Sequence, residues 1–372
     1  MRVNVKNALI VGCLGALLTG PALALEEKKE KRKDESASEP AKAAIETETK
    51  PESKSWLGDF GLTFIYENSV GSGSFTTKGE SAQPYWNMSY SIRPSYTISK
   101  DLRIKTSLRF DLDQNIIENY QSSNVEPNQL QFYDIRWSFS QGGFAGFGAE
   151  GFGPVDDEGK RGDFLSFDWS ATFYFPTAKA SQLSNKILGL GAAFYTTFQP
   201  VNWFDFKYTF GAVKNFNEYT GKVLDTSNLS LPAQSRANGA ESLGEGLVAL
   251  AGYNLEWSMT QDLALDFMWP AGLGDMSLTI GWTYFQNYTY GNTARDEFTA
   301  ENATPGRGYS DLMRGVVDIS WQPISYLGVS IGWLVDQSPK TADGSDFRFP
   351  WWDTSNGSEN RQSFYLDLVG TF

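Results

Sequence analysis

Gly328-Val329-Ser330-Ile331-Gly332 spells G-x-S-x-G, the pattern that lifts a serine nucleophile onto a sharp strand-to-helix turn. A serine oxygen near neutral pH needs a base, normally an imidazole, to take its proton, and the chain contains no histidine. The same absence removes imidazole metal sites, and Cys13 is the only cysteine, so thiolate sites and disulfides are excluded from the body of the protein. Gly146-Phe147-Gly148-Ala149-Glu150-Gly151 matches the G-x-G-x-x-G dinucleotide fingerprint, but Phe152-Gly153-Pro154 follows where a helix N-terminus would have to hold the pyrophosphate. Asp343, Asp346 and Asp353 offer hard oxygen ligands for calcium without the EF-hand spacing, so a solvated acidic loop is expected there. Carboxylate-only chemistry, such as an aspartate pair, stays open. Otherwise no catalytic residue, metal ligand or cofactor is expected, and the chain does not read as an enzyme.

The remaining charged residues are informative through their alternation. From Leu102 to Leu112 the residues Leu102, Ile104, Thr106, Leu108, Phe110 and Leu112 share one face, and Arg103, Lys105, Ser107, Arg109 and Asp111 share the other. Period two is the signature of a strand with one apolar and one polar side. The elements that must position these charges are therefore strands. They are expected at Phe60 to Asn68, Tyr85 to Ser99, Leu102 to Asp113, Gln129 to Ser140, Phe164 to Phe175, Ile187 to Gln199, Phe204 to Val213, Leu247 to Ser258, from Leu263 onward, Leu312 to Trp321, Leu327 to Asp336 and Arg361 to Phe372. Pro94 interrupts the second ladder and suggests a bulge.

That makes twelve strands. The tight connections Ser99-Lys100-Asp101, Gln199 to Trp203, Thr260-Gln261-Asp262 and Gln322 to Tyr326 alternate with long polar ones. Tyr96, Trp203, Trp257, Trp321, Tyr326 and Phe372 lie beside the short turns, where an interfacial aromatic girdle belongs. Two stretches fit poorly: Leu263 to Tyr290 exceeds a crossing of roughly 9 to 11 residues and is broken by Pro270-Ala271-Gly272, and Gly142 to Asp163 is long for a turn. Fourteen strands are the alternative.

Residues 1–24 have the three parts of a secretory signal: Arg2 and Lys6, an apolar run from Ala8 to Leu18, and the small-residue site Ala22-Leu23-Ala24, with cleavage expected after Ala24. Residues 25–55 carry nine acidic and eight basic side chains and almost no large apolar ones, so they are expected to be a disordered, charged periplasmic arm. The rest, 56–372, is left with 21 basic and 35 acidic residues, a net charge of −14 that argues against nucleic acid as partner. It is compatible with a membrane, because a barrel keeps its charge in lumen and loops.

The last stretch alternates Phe364, Leu366, Leu368 and Phe372 with Ser363, Tyr365, Asp367 and Thr371, and ends on an aromatic. In this it resembles bacterial outer-membrane β-barrel proteins of the porin-like kind, with Gly370 standing where a further large apolar residue is usual. The resemblance implies a closing strand that the barrel assembly machinery reads at Phe372. The fold expected for 56–372 is then an all-β, antiparallel, up-and-down transmembrane barrel in outer-membrane lipid, with the even strand count returning both ends to the periplasm. The missing histidine sets the chain apart from the phospholipase known among twelve-stranded barrels.

In such a barrel the polar rows face the lumen. Arg93, Arg103, Lys105, Arg109 and Arg136 are expected to point inward from strands two to four, with Asp168, Asp205, Glu256, Asp266, Asp318, Asp336 and Asp367 spread around the wall. A basic wall facing an acidic one across a wet constriction, an arrangement that resembles general porins, favours small polar solutes. The expectation is a passive channel for them. The competing reading is a surface-interaction barrel in which Arg103, Arg109, Asp111, Asp113, Asp134 and Arg136 close the lumen with salt bridges. Partners would then bind the loops at 214 to 245, 289 to 311 and 337 to 360, through Phe347, Phe349, Trp351 and Trp352.

Overall fold

The computed structural model describes residues 59–72, 85–117, 130–149, 151–155, 159–178, 181–182, 184–225, 241–244, 247–272, 274–291, 308–340, 347–348 and 360–372. The signal, the charged arm, Asp343, Asp346, Asp353, Phe349, Trp351 and Trp352 lie outside these residues.

The strands are β1 (Phe60–Ser72), β2 (Tyr85–Ser99), β3 (Ile104–Ile117), β4 (Leu130–Phe132), β5 (Ile135–Phe147), β6 (Leu165–Phe175), β7 (Lys186–Val201), β8 (Phe204–Asn217), β9 (Gly221–Asp225), β10 (Glu241–Gly244), β11 (Leu247–Tyr253), β12 (Leu255–Ala271), β13 (Gly274–Thr289), β14 (Tyr309–Ile324), β15 (Leu327–Gln337) and β16 (Asn360–Thr371). Twelve of them form a ring in the order β1, β2, β3, β5, β6, β7, β8, β12, β13, β14, β15 and β16, every pair antiparallel. The ring closes through β1 and β16, whose register runs from Thr63↔Thr371 to Ser72↔Gln362. Phe372 completes the seam, its N–H donating to the Leu62 carbonyl and its carbonyl accepting from the Leu62 N–H, both at 2.9 Å. Short β4 continues the β5 wall beside β3, while β9, β10 and β11 make a separate three-stranded sheet in the long connection between β8 and β12.

Closure matters because an open edge strand would leave unpaired N–H and C=O groups that hydrocarbon cannot satisfy. The alternation then decides which face meets which solvent. Phe64, Ile92, Leu108, Trp137, Phe194, Phe210, Ile319, Ile331 and Phe364 stand exposed on the outside, whereas the inward Thr63, Ser91, Ser170, Thr172, Thr260, Thr279, Ser320 and Ser330 are buried. A protein with its aromatic rows outside and its hydroxyls inside is inverted relative to a water-soluble one. The fold is a transmembrane antiparallel β-barrel of twelve strands.

One patch departs from the outward rule. Met313, Val335, Gln337 and Gln362 belong to the outer rows of β14 to β16 at the loop end, yet all four are buried. Gln337 Nε2 donates to the Arg348 carbonyl at 3.1 Å, so this part of the last loop leans on the outer wall rather than over the lumen.

The expected turn at Thr260-Gln261-Asp262 is a correction. Those residues run through the middle of β12, and the reversal comes after Ala271, which pairs with Gly274. The polar triplet misleads because Gln261, on the outer row, bonds sideways to Tyr208 Oη and Gln286 Oε1, each at 3.5 Å, instead of turning the chain. Pro270 is tolerated since it lies beyond the last paired rung with β8, Phe267↔Phe204, and beyond the Met268 N–H that donates to the Trp203 carbonyl at 2.8 Å. Gly274, at φ 95°, has no room for a side chain: a Cβ there would lie 2.0 Å from the Gln322 carbonyl oxygen. Trp257 accordingly sits at the long-loop end, beside Lys214 and Tyr288, and Trp269 takes the place expected of it near a short turn. The strand from Leu247 is also reassigned: β11 pairs with β9 and β10 outside the ring.

Fourteen strands are not realised among the described residues. β5 continues through a bulge between Gln141 and Ala145 as far as Phe147, and the described residues of the rest of the long turn hold the isolated bridges Ala149↔Phe152 and Val155↔Arg161. At Pro94 the β2–β3 ladder has a gap but no slip, Ile92↔Phe110 and Ser95↔Ser107 being in one register. The suspected bulge is therefore a missing pair of rungs.

Candidate functional site

The site is the inner wall of the barrel. On its β3–β5 side, Arg109 and Arg136 are direct register partners. Arg109 Nε donates to both oxygens of Asp111, at 2.8 and 2.6 Å, two positions along its own strand. Arg136 Nη2 reaches the same carboxylate at 3.6 Å and places its guanidinium 5.5 Å from the Tyr174 ring centre. Lys186 lies 5.5 Å from the same ring and pairs with Asp134 at 2.9 Å. Asp134 also accepts from Ser181 Oγ and the Ala178 N–H, which ties the β6–β7 loop to the wall.

A second group lies on β8 and β12. Lys207 Nζ is 2.8 Å from Asp266 and 3.7 Å from Asp205, carboxylates that are themselves register partners, and Thr279 Oγ1 donates to Asp266 at 2.5 Å. Higher in the ring Arg314 grips Asp336 with two parallel bonds of 2.7 and 3.0 Å, the fork geometry that suits guanidinium and carboxylate.

The β14–β16 wall is built differently. Asp318 is fully buried and accepts from Ser320 Oγ at 2.6 Å and Tyr365 Oη at 3.0 Å. Tyr365 can reach it only because its ring lies flat over Gly332, where a Cβ would be 2.1 Å from the ring carbon Cζ. Asp367 follows two positions along β16, in register with Glu67 of β1 and Ser330 of β15. Among the described residues no lysine or arginine lies within ion-pair distance of Asp318, Asp367 or Glu67.

The residues singled out in the sequence are thus only partly brought together. Arg109, Arg136, Asp205, Asp266, Asp318, Asp336 and Asp367 line the interior. Arg93 also faces in, its Nε donating to Ser91 Oγ at 2.9 Å, and Lys105 lies on the same inward row of β3 as Arg109. Asp168 accepts a hydrogen bond from the Gly143 N–H, stitching β6 to the β5 bulge. Arg103 does not belong with them: it sits exposed in the turn before β3 at φ 51°, against Gly143. Glu256, next to the bulge between Leu255 and Trp257, pairs at 2.5 Å with Lys214, whose register partners Leu190 and Trp257 are on the outer row. Lys214 is boxed there by Trp257, Tyr290 and Phe216, with ring centres 5.1, 5.0 and 5.9 Å away.

The sequence puts Lys207, Arg314 and Tyr365 on polar rows but gives no sign that they matter more than their neighbours. All three stand on inward rows, and the signal of Gly332 opposite Tyr365 becomes readable only with the register, since a glycine inside a strand marks a close approach.

No family model matches the sequence, and no curated protein does. Among solved structures, the chain is similar to an outer membrane channel from Pseudomonas putida F1, at 9% identity over 84% of this chain and 95% of that one, with a TM-score of 0.48. It is also similar to Pseudomonas putida OprB, at 8% identity over 84% and 94% with a TM-score of 0.31. The translocator domain of the autotransporter NalP from Neisseria meningitidis gives 6% identity over 84% and 88%, with a TM-score of 0.30.

Proposed function

We propose that this protein is a passive, non-enzymatic channel for small hydrophilic solutes in the bacterial outer membrane. The observation that carries this reading is that charged heads inside an otherwise sealed, lipid-facing ring keep contact with solvent. The side chains of Arg314, Lys207 and Arg109 are 32%, 24% and 21% exposed although all three point inward. Twelve strands lie between the eight that side chains fill and the sixteen that leave a wide aqueous channel, so the path is narrow. Delivery through a cleaved signal peptide, and recognition of the strand ending in Phe372 by the barrel assembly machinery, belong to the same proposal.

A specific observation favours a second reading. Arg109, Arg136, Lys207 and Arg314 each reach a carboxylate, and such pairs would close the lumen of a barrel that works through its loops. Planar-bilayer recording of the folded barrel separates the two. Discrete ohmic steps that grow with salt concentration are expected of the channel; silence from a barrel whose folding is verified by heat-modifiable gel migration would sink it.

A further inference from the structure

We infer that Arg109 and Arg136 form an oxyanion-binding station on the lumen wall, one that takes the carboxylate or phosphate group of a passing solute; the inference rests on the channel reading. Three features of the same place support it. Like charges directly opposite each other in an antiparallel pair are destabilising, yet Arg109↔Arg136 is such a rung. Arg136 reaches Asp111 only at 3.6 Å, because that carboxylate is held closely by Arg109. By contrast with Arg136, the inward Arg109, Lys186, Lys207 and Arg314 each have a carboxylate at 2.6 to 2.9 Å. Finally, Arg136 Nε is buried with no acceptor, and a buried donor of this kind calls for a partner.

The surroundings suit an anion. Tyr174, the register partner of Arg136, supports its guanidinium from below, and the next inward rung presents the hydroxyls of Ser138 and Thr172, 2.8 Å apart. Of the other carboxylates close by, Asp134 is already engaged by Lys186, Ser181 and the Ala178 N–H, and Asp113 accepts from Tyr133 Oη at 2.5 Å. Two guanidiniums offer paired N–H groups matched to the oxygens of a carboxylate or phosphate, a geometry an ammonium lacks.

The test is chloride current through the full chain in a planar bilayer, with inorganic phosphate or acetate added. Phosphate and acetate should each reduce the chloride current in a saturable way, and the relative strength of the two says which oxyanion the station prefers. Arg136→Gln should weaken that block about tenfold, the loss expected for one charge-assisted hydrogen bond. Arg136→Lys should restore only part of it, and Lys100→Gln, on the exposed turn, should change nothing. Equal block in wild type and Arg136→Gln would overturn the station while leaving the channel standing. If no current flows at all, titration calorimetry of phosphate into the detergent-folded barrel decides separately: heat that disappears in Arg136→Gln supports the station, and no heat with the wild type removes it.

Discussion

The β3–β5 wall and the β14–β16 wall are made from the same lattice, with strands of similar length and the same inward rows, yet they hold charge in opposite ways. On β3 and β5 two arginines crowd one carboxylate. On β14 and β16 a carboxylate is held by neutral hydroxyls, those of Ser320 and Tyr365. The first arrangement depends on Coulomb attraction between the guanidiniums and the carboxylate they reach. The second depends on donors packed tightly enough to replace water, which is why Asp318 is fully buried while Arg109 is not. A barrel interior is therefore not one environment, and the polarity of a residue says little about how it is kept.

The largest effect should come from disturbing the packed wall. Gly332→Val would drive a side chain into the Tyr365 ring, displacing its hydroxyl from Asp318. A loss of about 3 kcal/mol is expected from the overlap together with the stripped hydrogen bond, read as a lower urea midpoint of the lipid-folded barrel. If the midpoint stays put, the two walls do not differ in packing.

Removing the shared carboxylate with Asp111→Asn tests the electrostatic wall. It removes the carboxylate that Arg109 and Arg136 both reach, and a loss of about 2 kcal/mol is expected, below the usual value for a broken buried pair because both side chains are only partly buried. The loss should shrink as salt rises, and the reversal potential in a salt gradient should move toward anion preference. A salt-independent loss would mean that Asp111 acts by packing.

Asp318→Asn should have the smallest effect, about 1 kcal/mol, since its partners are neutral and the shape is kept. Here the midpoint shift should be the same at low and high salt. A strong salt dependence would erase the contrast between the walls.

Much of this fold was legible in the sequence because strand periodicity is local. Phe364, Leu366 and Leu368 against Ser363, Tyr365 and Asp367 announce inside and outside with no knowledge of their neighbours, and the strand from Tyr85 to Ser99 has the expected bounds. Where a polar residue stands on an outward row, the same reasoning fails: Gln261 looked like a turn because its partners, Tyr208 and Gln286, are on other strands. Glu256 and Arg103 were misjudged for a related reason, since a bulge or a left-handed turn residue shifts the phase of the alternation.

The sequence by itself determined which face of each strand is apolar and the absence of imidazole and thiolate chemistry, because each follows from residue type and a repeat of two. Twelve crossings needed the structure, which moved the strand from Leu247 out of the ring and the turn from 260–262 to after Ala271. Only the tertiary structure decided which charges meet. Register joins residues far apart in the chain, and a slip of a single position exchanges every inward residue for an outward one. That Arg136 lies beside Arg109, and Tyr365 over Gly332, could be known only once the ring had closed.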